Sequence, residues 1–308
     1  MKTQLKVVIY RNGLPKKNKS QEKIDALTKF CHGVRANLDF GILHDGDNII
    51  DCDVAVILGW VHENSKNSAH LQLRRNVIDT QLSQGRRVVV IDSNLFLYKD
   101  INNSQHYLRY SFDGVFPNTG IYCDNNPVSS RWRELSKNLN LELKPYRRFG
   151  DHILLCLQRQ GGWSMGGIDI THWVFTTIKN IREHSQRPVI IRPHPGDKTA
   201  HDFEYLKKHF TNIYVSTNPA LLDDLKNCWA VVNHNSSPAV AAAIEGYPVF
   251  ITDPIRSQCA EIANTDLSNI ENPTLPDRQT WANRLAMFHY NFRELERGVC
   301  WQHMRQYV

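Results

Sequence analysis

The segment IIRPHPGDK, residues 190–198, places an arginine and a histidine directly after a β-branched apolar run. A proline fixes its own φ angle, so the prolines on both sides of His194 would hold it rigid. A guanidinium and an imidazole that point at one place suit an oxyanion such as a diphosphate. The segment therefore indicates an anion site formed by Arg192 and His194, with a capping histidine and a surface arginine on a tight turn as the alternative.

The segment VVNHNSSPAVAAAIEG, residues 231–246, indicates a second anion-binding arrangement. A strand ends near Asn235, and Ser236 and Ser237 open a helix with a proline in its first turn. The free N–H groups and the positive end of the helix dipole attract anions, and the serine hydroxyls add donors. Plain N-capping explains the serines equally well. Glu245 follows one to two turns later, within reach of a ribose diol.

A third strand end lies in LLCLQRQGGWS, residues 154–164. Gln158 and Arg159 are polar residues that close an apolar run, and a pair of glycines follows them. Because glycine lacks a Cβ atom, Gly162 would let the backbone approach a phosphate closely. We therefore expect Gln158, Arg159 and Gly162 to contribute to the same anion site, with a plain turn, the more common role of a glycine pair, as the alternative.

These segments belong to a regular alternation of apolar runs and amphipathic stretches. Repeated βα units with short connections predict parallel, doubly wound sheets. We expect an α/β protein with two Rossmann-type domains and a cleft between them, residues 1–148 and 149–278, and a C-terminal helix within 279–308 that returns to the first domain. Strands are predicted at 5–10, 54–60, 86–93, 152–158, 188–193, 213–216, 229–235 and 248–253, and helices at 21–34, 70–85, 131–139, 170–184, 201–210, 220–228, 237–246 and 279–298.

Composition excludes several classes of protein. Apolar residues make up 41% and charged residues 22% of the chain, which is ordinary for a globular protein. The N-terminus lacks the features of a signal peptide, and no apolar run approaches the roughly 20 residues that a membrane span requires. The seven cysteines are scattered and form no CxxC pair, so we expect a reducing, cytoplasmic location and no disulfide framework.

The basic residues are concentrated in the first half of the chain. Residues 1–150 carry 22 basic and 15 acidic side chains, whereas residues 151–308 carry 15 and 16. A basic half indicates either a solvated surface or one that meets a polyanion.

RPHPGD followed by NHNSSPAVAAAIEGYPVFI resembles sugar-nucleotide-dependent glycosyltransferases of the GT-B type, and among them the capsule polysaccharide and Kdo transferases. In that family an RPHP strand end precedes an SS-x-x-x-x-A-x-x-x-G-x-P-V unit. The resemblance implies that Arg192 and His194 face the donor phosphates and that the two serines bind the diphosphate. Glu245 would lie near the donor ribose or sugar.

The size, charge and fold type also resemble the small bacteriophage enzymes that put sugars on 5-hydroxymethylcytosine in DNA. This second resemblance implies double-stranded DNA as a partner and a UDP-sugar, of glucose or of a pentose such as arabinose, as the donor. Tyr107 and Tyr110 would support a flipped base, with a place in the core or at its rim as the equally good alternative. Five basic side chains would contact DNA phosphates: Lys16, Lys17, Lys19, Arg74 and Arg75.

A base must activate the acceptor hydroxyl in glycosyl transfer. Asp113, in the long unperiodic segment 94–128, is the first choice, and His62 and Glu63 are the alternatives. We expect no metal site, because the acidic pair of DCD at 51–53 precedes a strand instead of ending one. The nucleotide-sugar is the only ligand of cofactor type that we expect.

Two other functions stay open at this point. One is transfer of a sugar to a capsule or lipopolysaccharide glycan, and the other is a non-catalytic nucleotide-binding module. The oligomeric state is left open.

Overall fold

The computed structural model describes the chain in six stretches: 3–15, 20–61, 67–116, 126–160, 163–197 and 203–308. The chain divides into two compact units. The first unit comprises Met1–Leu95, Asn102–Trp132 and Arg284–Val308, and the second comprises Phe96–Ile101 and Arg133–Asn283. The chain thus passes from one unit to the other four times. The domain boundaries at 148/149 and 278/279 stay predictions.

The first unit is built on a mixed sheet. Its strands are β1 (Lys6–Tyr10), β2 (Phe40–His44), β3 (Val54–Leu58), β4 (Arg87–Ser93), β5 (Leu108–Phe112) and β11 (His289–Tyr290). In the described residues the strand order is β11-β5-β4-β3-β1-β2. The first four strands are parallel, whereas β5 and β11 each run antiparallel to their neighbour.

Helices cover both faces of this sheet, because its central strands are continuous apolar runs that must be buried on both sides. Val7 and Ile9 of β1 pack on one face, which we call the α1 face, and Val8 and Tyr10 pack on the other, the α2 face. The helices of this unit are α1 (Gln21–Ala36), α2 (Ala69–Ser83), α8 (Phe292–Glu296) and α9 (Val299–Met304).

The second unit contains a parallel sheet. One buried core lies on its α4 side, and Leu154, Val231 and Ile251, whose side chains alternate with those of that core, are buried as well. In the described residues its strand order is β10-β9-β6-β7-β8. Its strands are β6 (His152–Cys156), β7 (Val189–Arg192), β8 (Ile213–Val215), β9 (Cys228–Asn233) and β10 (Val249–Ile251). Its helices are α4 (Ile170–His184), α5 (Leu221–Asp224) and α6 (Pro238–Ile244), and α3 (Ser129–Asn138) and α7 (Gln279–Met287) cross the limits between the units.

In each sheet we call the side where the parallel strands end the carboxyl edge, and the opposite side the amino edge. Short connections join the strands to the helices that follow them, so the residues after each strand gather at the carboxyl edge. Local signals fix these connections: Asp169 caps α4 by accepting a hydrogen bond from the N–H of His172 at 3.0 Å, and Gly246, with φ +87°, ends α6.

The prediction of one long helix at 279–298 is wrong. Helix α7 ends at Met287, and His289 and Tyr290 pair with β5 instead of continuing the helix. Asn291 then begins α8 with a capping box, in which its side chain accepts from the N–H of Glu294 and the Glu294 carboxylate accepts from the N–H of Asn291. Pairing with a distant strand overrides the helical pattern of this segment.

Three other elements differ from the sequence prediction. The unperiodic segment 94–128 contains β5, and β2 was not predicted. The helix predicted at 201–210 is a 3-10 helix, Glu204–Lys208, within the described residues. No helix in the described stretches is long and apolar enough to cross a membrane.

Candidate functional site

The carboxyl edge of the second unit's sheet gathers polar side chains from four strand ends. Arg159 follows β6, His194 follows β7, Ser236 follows β9 and Arg256 follows β10. These four strands are neighbours in the order β10-β9-β6-β7. Ligands of doubly wound sheets bind at this edge, so it is the candidate functional site.

Arg159 and His194 lie together at this edge and are its candidate ligand-binding pair. The Nδ1 atom of His194 accepts a hydrogen bond from the N–H of Gly196 at 2.9 Å, which leaves the ring proton on Nε2. Burial lowers the pKa of His194, the Arg159 cation lowers it further, and Asp197 opposes them. Because Arg159 is exposed, a neutral donor and an accessible cation lie together at neutral pH.

A buried carboxamide network lies under this edge. Gln158 Nε2 donates to Asn235 Oδ1 at 2.7 Å and to Ser164 Oγ at 2.8 Å. Asn235 Nδ2 donates to the Asp253 carboxylate at 2.9 Å and to the Ser164 carbonyl at 2.8 Å. The predicted contact of Gln158 and Asn235 with a ligand gains no support, because both side chains are buried and engaged within the fold. They instead join the ends of β6, β9 and β10.

His234 extends this network and was missed by the sequence analysis. Its Nδ1 lies 2.8 Å from Thr252 Oγ1, which also accepts a hydrogen bond from Trp173 Nε1 at 2.9 Å. Burial lowers the pKa of His234, and the Asp253 carboxylate, 3.7 Å from Nε2, opposes this shift. The only signal in the sequence was a histidine between two asparagines at a strand end, which does not reveal partners that lie far along the chain.

The two serines differ in their contacts. Ser236 is half-buried, and its carbonyl and hydroxyl oxygens lie 3.0 and 3.3 Å from Asn233 Nδ2. Ser237 is exposed and makes no side-chain capping bond at the start of α6. Its hydroxyl is therefore accessible at the carboxyl edge. Helix α6 has only seven residues, so its dipole is a weak source of anion affinity.

Arg192 does not lie open to a ligand. It forms an ion pair with the buried Asp224, and its guanidinium donates to the carbonyls of Asn218 at 3.0 Å and Pro219 at 3.0 Å. The predicted contact of Arg192 with donor phosphates gains no support from this geometry, since the guanidinium is bonded to the loop between β8 and α5.

Glu245 lies at the wrong edge for the predicted ribose contact. Helix α6 runs back from the carboxyl edge, so its C-terminus reaches the amino edge, where the N–H of Lys144 bonds to the Ile244 carbonyl at 2.9 Å. Tyr98 donates to the Glu245 carboxylate at 3.0 Å, and Lys144 pairs with it. Burial acts to raise the pKa of Glu245, but the hydrogen bonds from Lys144 and Tyr98 outweigh it and hold the pKa below its ordinary value.

Asp113 also lies at an amino edge, that of the first unit's sheet. Since β5 runs antiparallel to β4, the residue after β5 meets the start of β4. Asp113 accepts hydrogen bonds from the N–H of Val88 at 2.8 Å and from Arg87 Nη1 at 2.7 Å. This position gives Asp113 a structural contact and no support as the general base.

The residues predicted to contact DNA are not arranged for that purpose where they are described. Arg74 is buried and donates to the carbonyls of Gly13 at 2.6 Å and Gly59 at 3.3 Å, and burial lowers the pKa of its guanidinium to about 10. Arg75 is half-buried. Tyr107 and Tyr110 are fully buried, which agrees with a core role and gives no support to a role in holding a flipped base. Six predicted site residues lie outside the described residues: Lys16, Lys17, Lys19, His62, Glu63 and Gly162.

The described stretches contain no group of three or more histidine, cysteine, aspartate or glutamate side chains that could hold a metal ion. The polar groups at the candidate site are those of arginine, histidine, serine and carboxamide side chains, together with the Asp253 and Asp197 carboxylates. This donor set suits an anionic ligand.

Solved structures with a similar fold include two Kdo transferases. The β-Kdo 2,7-transferase of Thermosulfurimonas dismutans KpsC has 13% identity and a TM-score of 0.52, with 98% of this chain and 100% of that chain covered. The β-Kdo 2,4-transferase of the same KpsC has 12% identity and a TM-score of 0.51, with 87% and 90% covered. The Methanocaldococcus jannaschii UDP-GlcNAc 2-epimerase aligns over 99% of this chain and 100% of its own at 12% identity, but with a TM-score of only 0.33.

The likeness to the two transferases concerns the fold, because the identity is so low. The GT-B-like α/β fold predicted from the sequence is confirmed. No protein-family model matches the chain, and no curated protein matches its sequence. The resemblance to phage hydroxymethylcytosine glycosyltransferases gains no support from these structures.

Proposed function

We propose that this protein is a nucleotide-sugar-dependent glycosyltransferase that binds its donor at the carboxyl edge of the second unit's sheet. The observation that carries the proposal is the pair Arg159 and His194, an exposed cation beside a neutral imidazole whose Nε2–H is available to a ligand. A fold shared with two KpsC β-Kdo transferases, over 98% and 87% of this chain, supports it.

The chemistry of the leaving group explains why such a pair is useful. When the bond between the anomeric carbon and the phosphate oxygen breaks, its electrons stay on the phosphate, which gains negative charge. Arg159 can donate two N–H groups to the phosphate oxygens, and His194 can donate one from Nε2. Donors that are held in place before the reaction stabilise this charge better than water does.

The buried network of Gln158, Asn235 and Asp253 holds the chain next to these donors in position. Gln158 precedes Arg159 directly and donates a hydrogen bond to Asn235, which follows the neighbouring strand β9. Asp253 holds Asn235 from the end of β10. Ser237, whose hydroxyl is accessible, adds a further donor at the same edge. UDP-sugars are the donors proposed for this site.

For the acceptor we propose a glycan of the capsule or lipopolysaccharide type in preference to DNA. The burial of Arg74, Tyr107 and Tyr110 removes three of the side chains on which the DNA hypothesis relied. Incubating hydroxymethylcytosine DNA with the protein and a panel of UDP- and CMP-sugars, followed by intact-mass analysis, tests the remaining case. A hexose or pentose mass gain would restore DNA as the acceptor.

The donor site is tested by UDP binding and by turnover of a panel of nucleotide-sugars. We expect Arg159→Ala and His194→Asn each to weaken UDP binding about 10- to 100-fold, the range for a hydrogen bond to a charged group. Arg148→Ala is the matched control, because Arg148 is an exposed arginine of the same unit that precedes β6 and so lies at the other edge. Equal UDP affinity in all three variants would reject the proposed site.

The module hypothesis gives a different result in the same experiment. A nucleotide-binding module would bind UDP in an Arg159-dependent manner but would consume none of the nucleotide-sugars. Release of UDP from any nucleotide-sugar, lost in Arg159→Ala and retained in Arg148→Ala, separates an enzyme from a module.

A further inference from the structure

The carboxyl edge of the first unit's sheet carries an aromatic ring and a carboxylate on neighbouring strands. Strands β3 and β4 are parallel partners, with Leu58 opposite Ile91. The N–H of Gly59 bonds to the Ile91 carbonyl at 2.8 Å, so the pairing continues past the end of β3. Asp92 therefore lies beside Gly59, and Trp60 lies one residue further along the neighbouring chain.

Both side chains lie on the α2 face of the sheet. In β4 the side chains alternate, and Asp92 shares its face with Val88 and Val90, which pack on the α2 face. Leu58 packs on the α1 face, and regular alternation would send Trp60 there as well. Gly59 has φ +81°, which interrupts the alternation, and Trp60 packs on the α2 face instead.

Asp92 is held firmly while part of its carboxylate stays accessible. Its Oδ2 accepts from Arg109 Nη2 at 2.5 Å, and its Oδ1 accepts from the N–H of Ser93 at 2.8 Å. The Asp92 side chain is 26% exposed, although Arg109 is only 6% exposed. The Ser93 hydroxyl also donates to Oδ1 at 3.4 Å. An ionised carboxylate has about four lone-pair positions, so these three bonds leave a position for a hydroxyl donor from solvent or from a ligand.

Arg74 fixes the two loops that border this edge. Its guanidinium bonds to the carbonyl of Gly13, which follows β1, and to the carbonyl of Gly59, which follows β3. The φ angle of +81° at Gly59 favours glycine, and a Cβ atom there would lie 2.8 Å from Arg74 Nη1. The Asp92 carboxylate also interacts electrostatically with Arg74. The strand ends around Asp92 are thereby set before any ligand binds.

The ring of Trp60 and the carboxylate of Asp92 match the two kinds of surface on a sugar. A pyranose presents C–H groups on its faces, which pack on an aromatic ring, and hydroxyls at its rim, which donate to carboxylates. Trp60 is half-buried against the α2-face core, so the ring is fixed and part of it is accessible. A polyanion would find the Asp92 carboxylate repulsive, whereas a neutral sugar hydroxyl would not.

We propose that Trp60 and Asp92 form a sugar-binding site at the carboxyl edge of the first unit's sheet. Trp60 supplies the stacking surface and Asp92 accepts hydrogen bonds from vicinal hydroxyls of a pyranose. That the bound sugar is the acceptor of the transfer reaction rests on the proposed function, but the site itself is argued from the first unit alone.

The test is saturation-transfer-difference NMR on the full chain, with methyl hexopyranosides and a linear dextran oligosaccharide as probes and without nucleotide. We expect saccharide signals with the unsubstituted protein and about tenfold weaker binding by Asp92→Asn, which is the effect of losing a hydrogen bond to a charged group. Trp60→Phe, which keeps an aromatic ring and core packing, should weaken binding less than Trp60→Ala. Asp51→Asn is the matched control, since Asp51 is an exposed aspartate that pairs with an arginine, Arg86, just before β3.

Absence of saccharide signals, or equal binding by Asp92→Asn and Asp51→Asn, would overturn the site. Circular dichroism of each variant shows whether a loss reflects unfolding, and Asp92→Asn, a nearly isosteric change, is expected to fold. UDP binding by the same samples separates the two proposals. Saccharide binding that needs Asp92, with no UDP binding, would leave this site standing and reject the proposed function, and the reverse result would do the opposite.

Discussion

Arg192 and Asp224 form an ion pair at the end of β7, with only 10% and 1% of their side chains exposed. Arg192 also holds the carbonyls of Asn218 and Pro219, and Asp224 accepts from Asn218 Nδ2 at 2.7 Å and Ser216 Oγ at 2.6 Å. Arg192, which precedes His194 by two residues, therefore holds the loop that connects β8 to α5.

Arg192→Ala should destabilise the protein strongly. Removing one partner leaves the buried Asp224 carboxylate unpaired, which typically costs about 3–5 kcal/mol of the free energy of unfolding. Urea unfolding measures the loss, and the double substitution Arg192→Ala/Asp224→Ala should cost less than the sum of the two single ones. An unchanged urea midpoint together with much weaker UDP binding would instead return Arg192 to the phosphate-binding role that the sequence indicated.

Asp113→Asn should leave nucleotide-sugar consumption within about twofold of the unsubstituted rate, because Asp113 lies at the amino edge and binds Arg87 and the N–H of Val88. Asparagine tolerates the φ angle of +57° at this position and keeps an acceptor for Val88. Loss of the partly exposed ion pair should cost about 1 kcal/mol or less of stability. A rate reduced by 10²- to 10⁴-fold would identify Asp113 as the base after all.

The free energy of unfolding should decrease as the pH falls below neutral, because His289 is buried in its neutral form. Burial lowers the pKa of this histidine to about 3, and its Nδ1 donates to the Leu285 carbonyl at 2.6 Å while Nε2 accepts from the N–H of Leu95 at 3.3 Å. Between pH 6.5 and 3 the unfolded chain takes up a proton that the folded chain refuses, so the contribution present above pH 6.5 is lost as the pH falls.

The size of this effect at pH 5 is about 2 kcal/mol from His289 alone. Urea unfolding at pH 7 and pH 5 measures it, and His289→Gln should lose correspondingly less stability between the two values. An equal loss in both proteins would show that other groups cause the acid sensitivity.

Gly246→Ala should destabilise the second unit by more than the cost of placing an alanine in the left-handed conformation, because its Cβ atom would also clash. Gly246 has φ +87°, and a Cβ atom there would lie 2.2 Å from the Pro145 carbonyl oxygen. Gly167→Ala is the matched control, since Gly167 has φ +85° and no atom within 4 Å of its Cβ position. The control should lose roughly 1–2 kcal/mol from the left-handed conformation, and Gly246→Ala should lose clearly more. Equal melting temperatures would mean that the 144–147 segment moves aside without cost.

The sequence predicted the elements that follow from local periodicity and missed those that depend on distant partners. Helix α4 and strand β8 begin at the expected residues, because amphipathic and apolar runs there are uninterrupted. Strand β11 was not predicted, because the apolar spacing of its segment is helical and only the pairing with β5 makes it a strand. Asn291 and Glu294 did carry a local signal, the capping box, which marks a helix start inside the supposed long helix.

The candidate site shows the same division. Arg159, Ser237 and His194 could be located at strand ends because the alternation of strands and helices fixes where the chain turns. The ion pair between Arg192 and Asp224 could not be predicted, because the two residues are 32 positions apart and no local pattern links them. The local sequence around an arginine at a strand end does not distinguish one that contacts a ligand from one that binds a neighbouring loop.

The four passages of the chain between the two units have a consequence for protein engineering. Leu295, Trp301 and Met304 belong to the core of the first unit, although they come from the last residues of the chain. A fragment that ends near residue 148 would lack them, and its hydrophobic surface would be left open to aggregation. The half of this chain that ends near residue 148 therefore cannot be exchanged at a single junction with that of a protein of the same chain path. A chimera that folds must carry the C-terminal segment from the same parent as the N-terminal half.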